Sequence, residues 1–200
     1  LLKYKFPLGH FDVSALYIDR YWGLTDYSTF APNTYKRQLF GGDLVGELFG
    51  LGVWAEVGYN KLSLQEGLGL DIDNFTESVI GLDYTFSSGL YITSEYYRNT
   101  LAPTNWREYT LNNWMWYFSA DIKTIGRDQL LAMFQYPITD LITIGCMSIT
   151  DLNNNSSAIV PTLNYPIFED VEMIFYGNFY IGSEGKAFSS NLGNGGLVRF

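Results

Sequence analysis

Four carboxylates, Asp43, Glu56, Asp83 and Glu95, stand on four successive stretches in which apolar and polar residues alternate. An extended chain sends alternate side chains to opposite faces. The four acids therefore share one face of neighbouring strands, each a few residues from a short turn, and form a band along one wall. Carboxylates arranged in this way repel one another unless water, cations or bases screen them. Their chemistry is the attraction and sorting of small cations. The nearest bases, Arg20, Lys36, Arg37 and Arg98, lie towards the other ends of their strands. A group of bases above a band of acids sets up a local field that orients ions. The competing reading is that these charges are only the solvated inner surface of a wide barrel.

Other chemistry is poorly supplied. His10 is the only histidine and falls in the short turn "PLGH" (7–10), and Cys146 is the only cysteine. This argues against a Ser-His-Asp arrangement and a zinc site, and it excludes an internal disulfide. Asp71 and Asp73 in "LDIDN", with Glu77 beyond them, and "DLNNNS" at 151–156 offer oxygen ligands for Ca²⁺, but neither has the spacing or glycine of a calcium loop. "NLGNGG" (191–196) lacks the Lys-Ser/Thr of a phosphate loop. No catalytic residue, metal or cofactor is expected. A formal charge of −9 argues against a nucleic-acid binder.

The elements that must position the acids can be read from the alternation. It recurs over 1–7, 10–22, 35–48, 51–62, 76–87, 89–99, 127–137, 140–150, 157–166, 170–182 and 194–200, and helical periodicity is nearly absent. Short connections (7–10, 48–52, 87–89, 137–140, 166–170) alternate with long ones (23–34, 63–75, 100–126, 151–156, 183–193). Such alternation is expected of an up-and-down antiparallel sheet whose odd connections all lie at one end, whereas a Greek-key sandwich has no reason to keep it. No run of about 18 apolar residues exists, which excludes a transmembrane helix. The 16 Tyr, 14 Phe and 5 Trp suit strands and interfacial girdles, and the 20 glycines suit many turns. The 200 residues read as one domain, 1–200.

The end of the chain, "GGLVRF", puts Val198 and the final Phe200 on one face. It resembles the C-terminal strand of bacterial outer-membrane proteins, with Gly196 departing from the apolar pattern. The whole chain resembles porin-like outer-membrane β-barrels in general, and no narrower family. The resemblance implies an all-β, antiparallel up-and-down transmembrane β-barrel of about 11 to 12 strands in the bacterial outer membrane. It further implies a non-enzymatic channel for passive diffusion of small solutes or ions, weakly cation-preferring. Asp43, Glu56, Asp83, Glu95, Arg20, Arg37 and Arg98 would line the pore. Trp106, Trp114, Trp116 and Tyr117, crowded into 100–126, would fold into the lumen as a constriction or cap it. The partners implied are the lipid bilayer, the permeating solutes or ions, and a second copy or another envelope protein.

An odd strand count conflicts with the even number of bacterial single-chain barrels. Either an odd number of strands precedes Leu1, or one goes unrecognised, with 100–126 the place for it. The chain has no initiator Met and no signal-peptide pattern, which agrees with processing or with a piece of a longer protein. Two alternatives remain open: a barrel with a closed lumen and a structural or docking role, and a soluble carbohydrate-binding β-sandwich. Tyr176, Asn178 and Tyr180 would suit sugar stacking and hydrogen bonding.

Overall fold

A computed structural model describes residues 1–70, 72–168 and 171–199. It contains a single antiparallel sheet of eleven strands in sequence order: β1 (Leu2–Leu8), β2 (Phe11–Asp26), β3 (Ala31–Leu48), β4 (Leu51–Glu66), β5 (Phe75–Thr85), β6 (Tyr91–Asn99), β7 (Asp128–Pro137), β8 (Thr143–Asp151), β9 (Ser156–Phe168), β10 (Val171–Ile181) and β11 (Gly195–Arg199). The up-and-down order follows from the turns. Between β3 and β4, for example, Phe49 (φ 54°) and Gly50 (φ 81°) both take the left-handed conformation, which matches the twist of a two-residue hairpin. Among the described residues, helix occurs in the connection after β6 and as one 3-10 turn, Ser190–Leu192, between β10 and β11. In the connection after β6, Trp106–Glu108 forms a single 3-10 turn and Leu111–Phe118 forms α1. Thr110 opens α1 by accepting from the Asn113 backbone N–H, while the Asn113 side chain accepts from the Thr110 backbone N–H.

The sheet is curled, as the contacts of α1 require. Trp116 and Ile122 pack with Trp22 and Leu24 of β2, Tyr35 of β3 and Phe75 of β5. On the other side, Tyr109, Trp114 and Tyr117 pack with a cluster of Ile125, Ala158 of β9, Ala187 and Phe188, together with Ile149 of β8 and Tyr180 of β10. Flat, the eight steps from β2 to β10 would span about 38 Å at about 4.8 Å per step. An eight-residue helix is about 12 Å long. It can touch both walls only if the sheet bends round it, so the face that holds the segment is concave. Its side chains are the even positions of β2 and β4 and the odd positions of β3 and β5 to β7, as the register Trp54↔Gly81↔Glu95↔Leu131 shows.

Three expectations change. Segment 100–126 contains no strand; its tryptophans and Tyr117 follow a helical turn and 3-10 geometry because two buried clusters hold them. The connection 23–34 is mostly strand: Gly23–Asp26 pairs with Ala31–Thr34, leaving only the turn 27–30. The alternation is hidden there because the apolar side switches. Phe11, Val13, Ala15 and Tyr17 face away from the segment, whereas Trp22 and Leu24 face it. Last, the sheet is open among the described residues, with β1 paired only to β2 and β11 only to β10. With eleven up-and-down strands β1 and β11 run in the same direction, so an antiparallel ladder cannot join them. Phe200 and the turn residues 169–170 lie outside the described residues.

Candidate functional site

The convex face carries apolar residues in a band of limited height. On β4 it presents Leu51, Val53, Ala55, Val57 and Tyr59, followed by Lys61; on β3, Leu48, Leu44 and Phe40, followed by Gln38 and Lys36. On β2 it presents Phe11, Val13, Ala15 and Tyr17, followed by Asp19, and on β7 the run from Tyr136 to Leu130 is followed by Asp128. Two ion pairs lie along this upper margin: Lys36 Nζ is 3.3 Å from Asp19 and Arg98 Nη1 3.0 Å from Asp128. Large apolar side chains in the band are open to their surroundings, among them Ile80 (60%), Val57 (53%) and Phe40 (49%). Among the described residues nothing covers them.

On the concave face the four acids are divided among different neighbours. Asp43 and Glu56 are register partners on β3 and β4, and both line a cavity of about 140 Å³ together with Glu77, Tyr97 and Lys123. Gly41 and Gly58, also register partners, leave room there. Asp43 accepts hydrogen bonds from Ser14 Oγ and, at 3.2 Å, from Lys3 Nζ. Asp83 accepts from Tyr91 Oη at 3.2 Å. Glu95 accepts from Trp54 Nε1 at 3.0 Å and lines a second cavity of about 190 Å³.

The bases divide as well. Arg20 and Arg37 are register partners and line a third cavity of about 310 Å³ beneath the segment 100–126. Arg37 is buried, 5.0 Å above the Trp22 ring and 5.2 Å from that of Phe75, with Nη2 3.1 Å from Glu77 and Nε donating to Asn60 at 2.7 Å. Arg98 belongs to the other face. Three residues from Glu95 on one strand, it cannot share the side of that carboxylate, and on the convex face it pairs with Asp128. Lys36 is on the convex face for the same reason of parity.

Segment 100–126 is strapped across the concave face at the end with the longer loops. Trp116 Nε1 donates to the Thr25 carbonyl at 2.7 Å, and Asn112 Nδ2 donates to Asp26 at 2.9 Å. At the far side Tyr109 Oη donates to the buried Asp151 at 2.9 Å, and the Asn154 side chain accepts from the Trp106 backbone N–H at 2.9 Å. Burial, and then the Asp151 charge, push the Tyr109 hydroxyl well above its usual range, so it remains a donor. Hydrogen bonds from Ser28, Asn112 and Thr29 hold the Asp26 carboxyl below the ordinary carboxylate range. Trp116 is buried, Trp106, Trp114 and Tyr117 are half-buried, and all four sit on or beside this strap.

No protein-family model matches the chain, and no curated protein or solved structure is significantly similar to it. What the site can do must come from its own residues.

Several of those residues escaped the sequence reading. Glu77, which the sequence offers only as an oxygen beyond Asp71 and Asp73 in a loop without calcium spacing, shares the parity of Asp83 on β5 and meets Arg37; Asp71 lies outside the described residues. Lys3 and Lys5 of β1 pair with Asp43 and Asp12, and the alternation of β1 carried that signal. Lys123 had no local signal.

Trp54 gives a direct test of the wall. Its ring lies over Gly81, where an added Cβ would stand 2.3 Å from ring atoms. Gly81→Ala must push the indole aside and break the Glu95 hydrogen bond, costing about 1–3 kcal/mol by overpacking. Urea unfolding of the variant should show the lowered midpoint; an unchanged midpoint would mean that Trp54 is not held there.

Proposed function

We propose that the chain forms the wall of an outer-membrane β-barrel that conducts small ions or solutes by passive diffusion, with a weak preference for cations and with segment 100–126 as its constriction. The observation that carries this reading is the bounded apolar band on the convex face. On β4 it runs from Leu51 to Tyr59. Eight steps at about 3.4 Å give about 27 Å along the strand, or about 21 Å vertically at a tilt of about 40°. That approaches the apolar belt of about 25 Å on transmembrane barrels, and charges begin at its margin. The face opposite carries carboxylates in cavities, as a water-filled lumen allows.

Hydrocarbon does not tolerate unpaired backbone, so in a bilayer both free edges must be paired. Because β1 and β11 are parallel, an antiparallel closure takes an odd number of further strands between them. A second reading, a closed barrel with a docking role, draws on the two apolar clusters with which α1 fills the upper part of the concave face.

Reconstitution of the full-length protein into planar bilayers separates the two. A channel gives stepwise currents whose reversal potential in a KCl gradient favours K⁺, and Asp43→Asn with Glu56→Gln moves that potential towards zero. Absence of current at every protein concentration would remove the channel and leave the docking barrel. A protein that stays monodisperse without detergent would remove both.

A further inference from the structure

Within the run Ile122–Gly126, Ile122, Thr124 and Ile125 are buried (7%, 6% and 1% exposed), and Lys123 alone is exposed. The backbone on both sides is thereby fixed, and the Lys123 side chain projects from the segment into the concave space. It lines three cavities there: the one of about 140 Å³ with Asp43, Glu56 and Glu77; the one of about 310 Å³ with Arg20, Glu77 and Asp121; and the one of about 190 Å³ with Glu95 and Gln129. Its Nζ stands 5.8 Å from the centre of the Tyr97 ring, a cation–π contact.

The other bases on this face are accounted for differently. Glu77 neutralises Arg37, while Asp43 and Asp12 pair with Lys3 and Lys5. Lys123 has no carboxylate within ion-pair distance among the described residues, although acids line all three of these cavities. Arg20 is also without a carboxylate partner among them, but it lines the upper cavity only. Beside Lys123, the buried Thr124 Oγ1 has no hydrogen-bond partner among the described residues and lines the cavity of Glu95.

We infer that Lys123 is the specificity-determining charge of this passage: its ammonium, at the junction of the three cavities, offsets the field of the acidic wall and keeps the cation preference weak. The inference rests on the channel reading. An ion moving between the cavities passes Lys123 whichever it enters first, and at such separations a unit charge in water changes the local concentration of small ions appreciably even at moderate salt.

The test is the reversal potential of single channels in a KCl gradient for wild type, Lys123→Arg, Lys123→Gln and Lys123→Glu. Lys123→Arg should match wild type. Lys123→Gln should raise the K⁺ over Cl⁻ permeability ratio roughly threefold, and Lys123→Glu should raise it further. Circular dichroism of each variant in detergent checks that the sheet is retained, and Lys123→Gln carries the test should Lys123→Glu fail to fold. Conducting variants with the wild-type ratio would overturn the role of Lys123 and leave the channel standing. A wild type that carries no current would overturn the channel reading and the assignment of Lys123 with it.

Discussion

Trp116→Ala should free segment 100–126 from the concave face while leaving the eleven-stranded sheet assembled. Trp116 is 5% exposed, packs with Trp22, Leu24, Tyr35 and Phe75, and donates from Nε1 to the Thr25 carbonyl at 2.7 Å. Truncation removes the largest side chain of the segment in that cluster, leaves a cavity and strands a carbonyl; large-to-small changes of this kind cost about 3–5 kcal/mol. The loss is concentrated on the strap because the ladder hydrogen bonds of β2 and β3 do not involve Trp116. Limited proteolysis should therefore cut within 100–126 in the variant at protease levels that spare the wild type, with far-ultraviolet dichroism unchanged. If the segment constricts a channel, unitary conductance should rise as well. A digestion pattern identical to wild type would show that the cluster does not hold the segment in place.

The second large effect is expected at Arg37. Its guanidinium is held by Glu77, by Asn60 and between the rings of Trp22 and Phe75, with the Arg37 and Glu77 side chains 10% and 19% exposed. Arg37→Met leaves Glu77 with only Tyr97 Oη, which donates at 2.7 Å, and a long contact to Asn60. An uncompensated carboxylate in such a place costs about 3–5 kcal/mol, whereas removing both charges together is often close to neutral. The double variant Arg37→Met with Glu77→Leu should therefore recover most of what Arg37→Met loses. Urea denaturation of wild type, both single variants and the double variant closes the cycle. A loss below about 1 kcal/mol for Arg37→Met would place the pair in the class of solvated surface ion pairs.

Particular residues show how far the sequence could be read. The alternation predicts about 11 to 12 strands, and eleven are present among the described residues, with Asp43, Glu56, Asp83 and Glu95 sharing one face. Arg98 was misplaced by its height on the strand; its parity relative to Glu95 already contradicted the assignment. Leu24 falls within the expected loop 23–34, and Trp22 and Tyr35 at its two margins, because apolar residues there face the other way. A reversal of phase halfway along a strand signals that a second structure covers the far half of the concave face. Which structure does so is not written near those residues.

The sequence by itself determined the order of the strands and, away from the far halves of β2 and β3, the face that their apolar residues take, because period-two alternation and tight turns act between neighbours. Only the tertiary structure decided how the faces are used. Thr25 and Trp116, or Asn112 and Asp26, meet across a curled sheet from positions some 90 residues apart. No local pattern encodes such a meeting. The curl brings β2 and β10 within reach of one short helix, and this makes the upper concave face an apolar contact surface and leaves the lower one lined with acids opposite Lys123.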